Sequence, residues 1–234
     1  MNIEVLASSS SGNAYIVDDG DTVLLLDAGI RFKDMQIKSN FGVNRVSACF
    51  VSHEHGDHSK GVKELLKRAV DIYAPPDTIT TLKLSGHRVH QVIPSETYAV
   101  GSFKILPAQM FHDCECYGYL IHSQKTKERL FFATDTYKIT INPKSIDYLI
   151  VEINYQKEIV NQYVNDGIIE PSIRGRLLQS HFELSDALAW LKRIDQSRLK
   201  RIYIAHLSSS NSNAGAVKRA VIETTGIPVT ICEA

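Results

Sequence analysis

The sequence predicts an α+β fold arranged as a four-layer αββα sandwich, two stacked sheets with helices on the outside. Three observations point there. About twelve short strand-like runs crowd into 234 residues. Clear helical periodicity occurs in only a few places. The order runs strands, one helix, strands again, then strands mixed with helices, which two sheets packed over a shared core accommodate.

The strand-like runs are 3–7, 13–18, 22–28, 46–52, 70–74, 87–93, 103–109, 117–123, 129–135, 147–152, 200–206 and 227–233, separated by turn signals such as Asp19-Gly20-Asp21. Helical spacing is clearest over 60–69, where Val62, Leu65, Leu66 and Ala69 fall at i, i+3, i+4 and i+7. A second helix is expected over 185–195 with Ser185 as N-cap, and a third over 214–224, stopping at Gly226. Residues 156–180 read as helical at first and then loop-like around Glu170-Pro171-Ser172. No repeat and no linker interrupts the chain, so residues 1–234 are read as one domain.

Composition narrows the function classes. Lys plus Arg number 26 and Asp plus Glu 26, a zero formal charge that argues against a surface clinging everywhere to nucleic acid but leaves room for a local basic groove. No window reaches the ~18–20 continuous apolar residues that span a bilayer, and the first residues do not read as a leader; a cytoplasmic protein without membrane contact is expected. Cysteines at 49, 114, 116 and 232 form no disulfide framework and no zinc-finger spacing. Cys49 and Cys232 are read as small buried apolar residues.

The chemistry gathers in VSHEHGDHSKG (51–61), which places His53, His55, Asp57 and His58 within six positions between a strand and a helix. Residues 53 and 55, two apart in an extended segment, present both imidazoles on one side; 57 and 58 lie at the turn and reach a neighbouring position. One motif thereby serves two adjacent metal sites, each needing further ligands. His112, Asp135 and His206 follow strands and are placed to complete them. A carboxylate can bridge two cations, so Asp135 is the expected bridge. Two divalent ions roughly 3.5–4 Å apart lower the pKa of a shared water toward 7, and the implied chemistry is hydrolysis.

With these residues in view, the sequence resembles the metallo-β-lactamase fold superfamily through LLLDAG, SHEHGDH, His112, ATDT and IAHLSS. Within it, ASSSSGNAY, the TDT at 134–136, VEIN at 151–154 and SHFELSDAL resemble the small bacterial nuclease-like group of the WalJ (YycJ) type, whose pattern runs SSGN, HxHxDH, HD, TDT, ESN, GHLS, GHLS. Tyr137, VEIN and Ser180-His181-Phe182-Glu183 depart from that pattern.

The resemblance implies His53, His55 and His112 on one metal, Asp57, His58 and His206 on the other, and Asp135 between them. It implies two zinc or manganese ions and a nucleic-acid substrate, DNA favoured, cut by a phosphodiesterase or exonuclease. Catalysis is expected to depend on Asp57 and on His181, which stabilises phosphate charge or protonates the leaving oxygen. Ser10, Asn13, Ser208 and Asn211 are expected to offer donors to the substrate, and Arg174 and Arg176 to stand near a nucleic-acid backbone or simply in solvent. Asp27 is expected to orient the metal loop from outside. Glu54 is read as facing outward. Cys114 and Cys116 lie near His112 but are not counted as ligands.

A glyoxalase II-like thioesterase or lactonase, sharing the same ligands, is the alternative reading, and a non-catalytic metal-binding scaffold a third. Only residues 136–205 lie between Asp135 and His206, too few for the long cap of the larger RNA-processing relatives.

Overall fold

The run Val23–Leu26 (β3) shows how the layers arise. Val23 and Leu25 join one hydrophobic cluster, Leu24 and Leu26 another, because successive strand side chains point to opposite faces. A strand apolar at every position is covered on both faces. Arg129–Ala133 (β10) repeats the pattern, with Leu130 and Phe132 facing one way and Phe131 and Ala133 the other.

The computed structural model, which describes residues 1–232, accordingly holds two mixed sheets. The first contains β1 (Asn2–Ser9), β2 (Gly12–Asp18), β3, β4 (Ala48–Phe50), β5 (Asp71–Ala74) and β6 (Val89–Gln91) in that spatial order. Its first three strands are antiparallel and its last four, sharing β3, are parallel. The second contains β7 (Tyr98–Val100), β8 (Phe103–Phe111), β9 (Glu115–Ser123), β10, β11 (Tyr148–Glu152), β12 (Arg201–Ala205) and β13 (Val229–Ile231), antiparallel through β10 and parallel from there.

Between the sheets lie Tyr15, Leu24, Leu26 and Phe50 from one side and Phe103, Ile105, Tyr119 and Phe132 from the other. Outside the first sheet run α1 (Phe32–Lys38), α2 (Gly56–Ser59), α3 (Val62–Lys67) and α4 (Pro76–Thr81). Outside the second run α7 (Leu184–Leu191) and α8 (Ala214–Thr225), while α5 (Lys157–Asn165) and α6 (Pro171–Ser180) pack on each other and α6 brings Arg176 and Ser180 beside His112, Asp135 and His206. Trp190 of α7 is buried with its indole N–H donated to the Ile141 carbonyl at 2.9 Å, so truncation to Ala removes packing worth about 3–5 kcal/mol. No helix among the described residues is long and apolar enough to cross a membrane.

All twelve expected runs contain strands, and Cys49 and Cys232 are buried. The last residue of the final run, Glu233, lies outside the described residues. Several local expectations need correction. Glu183, not Ser185, caps α7, its carboxylate accepting from the Ser185 and Asp186 amides. Residues 171–180 are helix rather than loop because Pro171 occupies the first turn, where its missing N–H is harmless; only Ser180 is buried in that helix, so no apolar stripe announces it. β7, α1 and α4 escape the sequence reading for similar reasons. β7 has three residues, α1 exposes Ile37 and α4 is rich in β-branched Thr and Ile.

Candidate metal centre

The polar residues gather where the parallel strands end. Asp27 follows β3, the 51–58 loop follows β4, Asp135 follows β10, Glu152 ends β11 and His206 follows β12. β8 and β10 each pair antiparallel with β9, so they run the same way and His112 leaves β8 at this same end. Asp27, Asp135 and His206 have φ of 57°, 47° and 51°, a left-handed conformation that non-glycine residues seldom adopt and that concentrates at functional sites. Each turn stops its strand, which is why the runs 22–28, 129–135 and 200–206 are shorter as strands than as apolar sequence.

Gly29 makes the metal loop's position possible. A Cβ there would stand 1.6 Å from the Asp57 carbonyl oxygen. With only hydrogens, the 27–30 loop tucks beneath the metal loop, where Ala28 N–H donates to the His58 carbonyl at 2.8 Å and Gly61 N–H to Ala28 at 2.7 Å.

Three groups of candidate ligand atoms result among the described residues; one, Asp135, Glu152, His181 and His206, overlaps another at Asp135 and His206, and the other two are the donor sets. His53, His55 and His112 converge in one, with His55 Nδ1 and His112 Nε2 3.2 Å apart. Asp57, His58, Asp135 and His206 converge in the other. Asp135 faces both: Oδ2 lies 4.0 Å from His53 Nε2 and 3.9 Å from His112 Nε2, while Oδ1 lies 3.3 Å from His58 Nε2. His53 Nε2, Asp135 Oδ1 and His206 Nε2 are buried without a hydrogen-bond partner. Unpaired buried polar atoms are costly, and three of them distributed over these two donor sets fit cations bound there.

Outer groups fix which nitrogen each imidazole presents. His58 Nδ1–H donates to Asp27 Oδ2 at 2.7 Å, His112 Nδ1–H to the Ser180 carbonyl at 2.9 Å, and His206 Nδ1–H to Glu152 Oε1 at 3.0 Å. His53 Nδ1 meets Ser52 Oγ at 2.9 Å, and that hydroxyl donates onward to Asp27 Oδ2 at 3.1 Å. In all four rings Nε2 is turned toward the site, the arrangement that orients metal ligands, with His58 Nε2 also 3.1 Å from the Asn13 amide nitrogen. His55 alone turns Nδ1 inward.

The electrostatics agree. Burial, with His58 alongside, pushes His53 well below the usual imidazole range. Burial opposes charge on His206 too, but Asp135, Asp57 and Glu152 outweigh it and carry its pKa to about 10. Burial works against the Asp135 charge as well, yet the surrounding imidazoles hold the carboxyl well below its ordinary value. A divalent ion on these nitrogens would replace protons that the carboxylates otherwise attract.

The remaining expected residues separate into two groups. Ser10 and His181 line a cleft of about 240 Å³ over the donor sets, together with Arg176 and Asp113. Ser208 and Asn211 line an adjoining cavity of about 340 Å³ that shares Ser10, His181 and His206. Asn13 is elsewhere. It is fully buried, its amide donating to the Ser9 and Asp57 carbonyls at 3.0 and 3.3 Å, so it braces the metal loop and offers a substrate nothing. Arg174 is held by Asn161 at 2.7 Å, leaving Arg176 as the arginine at the cleft.

Glu152 was missed by the sequence reading. Fully buried, it accepts from His181 Nδ1 at 2.6 Å and His206 Nδ1 at 3.0 Å through Oε1, and from the Thr136 and Phe182 amides through Oε2. Burial works to raise its pKa, but the His181 charge and these bonds hold it below the ordinary range. VEIN drew attention only as a departure from a pattern. The available signal was a lone carboxylate closing an apolar strand.

Comparison with known proteins gives a consistent picture. The family model described as "Beta-lactamase superfamily domain" matches residues 22–206. The exodeoxyribonuclease YycJ of Bacillus anthracis is 26% identical over 233 residues, covering 91% of this chain and 84% of the relative. Among solved structures, the metallo-β-lactamase fold protein YhfI from Bacillus subtilis aligns with a TM-score of 0.75 at 17% identity, covering 99% and 96% of the two chains. The short form of human tRNase Z aligns at 0.68 and 16%, covering 100% and 96%. The strand order, the donor sets and the family match together make this chain a member of the metallo-β-lactamase superfamily of hydrolases.

Proposed function

We propose that this hydrolase is a dinuclear phosphodiesterase acting on nucleic acid, with DNA the favoured substrate. The observation that carries the reading is Asp135, a buried carboxylate with one oxygen toward each of two donor sets. His53, His55 and His112 would hold one zinc or manganese ion, Asp57, His58 and His206 the other, and Asp135 both. Such ions supply the acidity that ionises an attacking water and the charge that neutralises phosphate oxygens.

The chain's own residues do the rest. Glu152 fixes His181 through Nδ1, so Nε2 is the nitrogen that meets the substrate. Burial disfavours the imidazolium, but the Glu152 carboxylate outweighs it and raises the His181 pKa. A protonated Nε2 can stabilise phosphate charge or donate to the departing oxygen. Arg176, Ser10, Ser208 and Asn211 are donors placed along the same cleft and cavity, suited to phosphate oxygens. The names of the similar proteins, an exodeoxyribonuclease and a tRNase, support nucleic acid. Four free thiols accord with the cytoplasmic setting expected from the sequence.

The test is degradation of end-labelled single- and double-stranded DNA and RNA with zinc or manganese added, comparing the wild type with Asp57→Ala and His181→Ala. The reading predicts cleavage by the wild type, none by Asp57→Ala, and a loss of roughly 10²–10⁴-fold in His181→Ala. Metal-loaded protein that cuts no nucleic acid but hydrolyses a glutathione thioester or a lactone would overturn it.

A further inference from the structure

Resting on the metal-centre reading above, we infer that Cys114 is a further protein ligand of the first donor set, and that it makes this position selective for zinc over manganese.

The four cysteines are not alike. Cys49, Cys116 and Cys232 each belong to a hydrophobic cluster and are at most 3% exposed. Cys114 belongs to none of the three and is only partly buried. It sits in the turn between β8 and β9, where the register closes Phe111 onto Glu115 and leaves residues 112–114 to the turn. The tight hairpin that presents His112 therefore presents Cys114 as well.

The sulfur has a destination. Its Sγ and the ligand nitrogens of His53, His55 and His112 all lie within 4.8 Å of one another. A second observation marks that space as a ligand position: His53, one of the four residues of this group, is fully buried and its Nε2 has no hydrogen-bond partner. Three imidazoles and the bridging Asp135 would make four protein donors, and a thiolate would add a fifth, of softer chemistry than the rest.

Coordination breaks the S–H bond, releases the proton to solvent and places the sulfur lone pair on the cation, with no change of oxidation state. A coordinated thiol is ionised outright. Soft thiolate ligands select zinc, whereas manganese prefers carboxylate, carbonyl and water oxygens. The histidine and carboxylate ligands accept either ion, so Cys114 is the residue that discriminates.

The test uses the full chain, reduced, freed of metal and titrated with cobalt(II) while the absorption spectrum is recorded. Wild type is expected to show visible cobalt bands together with an intense sulfur-to-cobalt band in the near ultraviolet. Cys114→Ser and Cys114→Ala are each expected to keep the visible bands and lose the ultraviolet one. In zinc–manganese competition, both variants should lose roughly tenfold or more of the wild type's preference for zinc, and an unchanged preference overturns the selectivity claim. Visible bands without an ultraviolet band in the wild type overturn the inference and leave the metal centre standing. An ultraviolet band that survives in both variants assigns the sulfur elsewhere and overturns it too. No cobalt bands at all in the wild type remove the metal-centre reading itself.

Discussion

Asp135 and Asp147 are both buried carboxylates of the second sheet, one beyond the carboxyl ends of its parallel strands and one at the amino ends. Asp147, 1% exposed, accepts from the Arg129 amide at 3.0 Å, from Arg198 at 3.1 and 3.2 Å, and lies 3.2 Å from the Lys200 ammonium. Asp135, 2% exposed, forms no ion pair with lysine or arginine among the described residues; its neighbours are imidazoles, and its Oδ1 has no hydrogen bond. A buried charge needs a partner. One end of the sheet supplies that partner from the chain, and the other is shaped for a cation from outside.

Substitutions should keep the two ends apart. Asp135→Asn is expected to lower the hydrolysis rate by roughly a thousandfold, about 4 kcal/mol of barrier, and metal to raise the variant's melting temperature less than it raises the wild type's. Rate assays and calorimetry with and without metal check both halves. Asp147→Ala should do the reverse, costing about 2–3 kcal/mol of stability because polar partners lose a charged acceptor, with metal content and turnover per folded molecule unchanged. A denaturant titration alongside an activity assay would show it, and lost metal would blur the distinction.

Two smaller effects sharpen the comparison. Asp27→Asn loosens the carboxylate that orients His58 and, through Ser52, His53. Competition with a chelator should report metal affinity lower by about 10–100-fold. Away from the donor sets, Asp19 accepts from the Ser123 and Ser102 hydroxyls at 2.6 and 2.7 Å and so ties the β2–β3 turn to the second sheet. Burial works to raise its pKa, but Ser123, Thr22, Ser102 and Asp21 outweigh it and hold the carboxyl low. A depressed folded pKa stabilises fully above the unfolded value of about 3.9 and is lost as pH falls through the lower, folded value. Asp19→Asn should therefore lower the neutral plateau of a stability–pH curve and flatten its acid limb below about pH 4, the variant and wild-type curves converging at low pH.

The same contrast explains what the sequence disclosed. The fold class was legible because runs such as Val23–Leu26 and Leu130–Ala133 are apolar at every position, which only strands covered on both faces require. The donor residues were legible because they cluster in one motif or follow such runs. Glu152 was not, since only the parallel register pairing it with Ala205 places it beside His206. Asn13 was misread because a polar residue next to a hairpin turn carries no mark of which way it points. The left-handed turns at Asp27, Asp135 and His206 leave no trace in residue type. α6 stayed hidden for want of an apolar stripe.

The most direct test of the metal centre is the number of zinc ions held per chain after equilibrium dialysis, measured by elemental analysis on wild type and Asp135→Asn. Two ions in the wild type and one or fewer in the variant are the predicted result. Wild type holding no ion, or the same number as Asp135→Asn, would contradict the claim that the carboxylate facing both donor sets joins them into one centre.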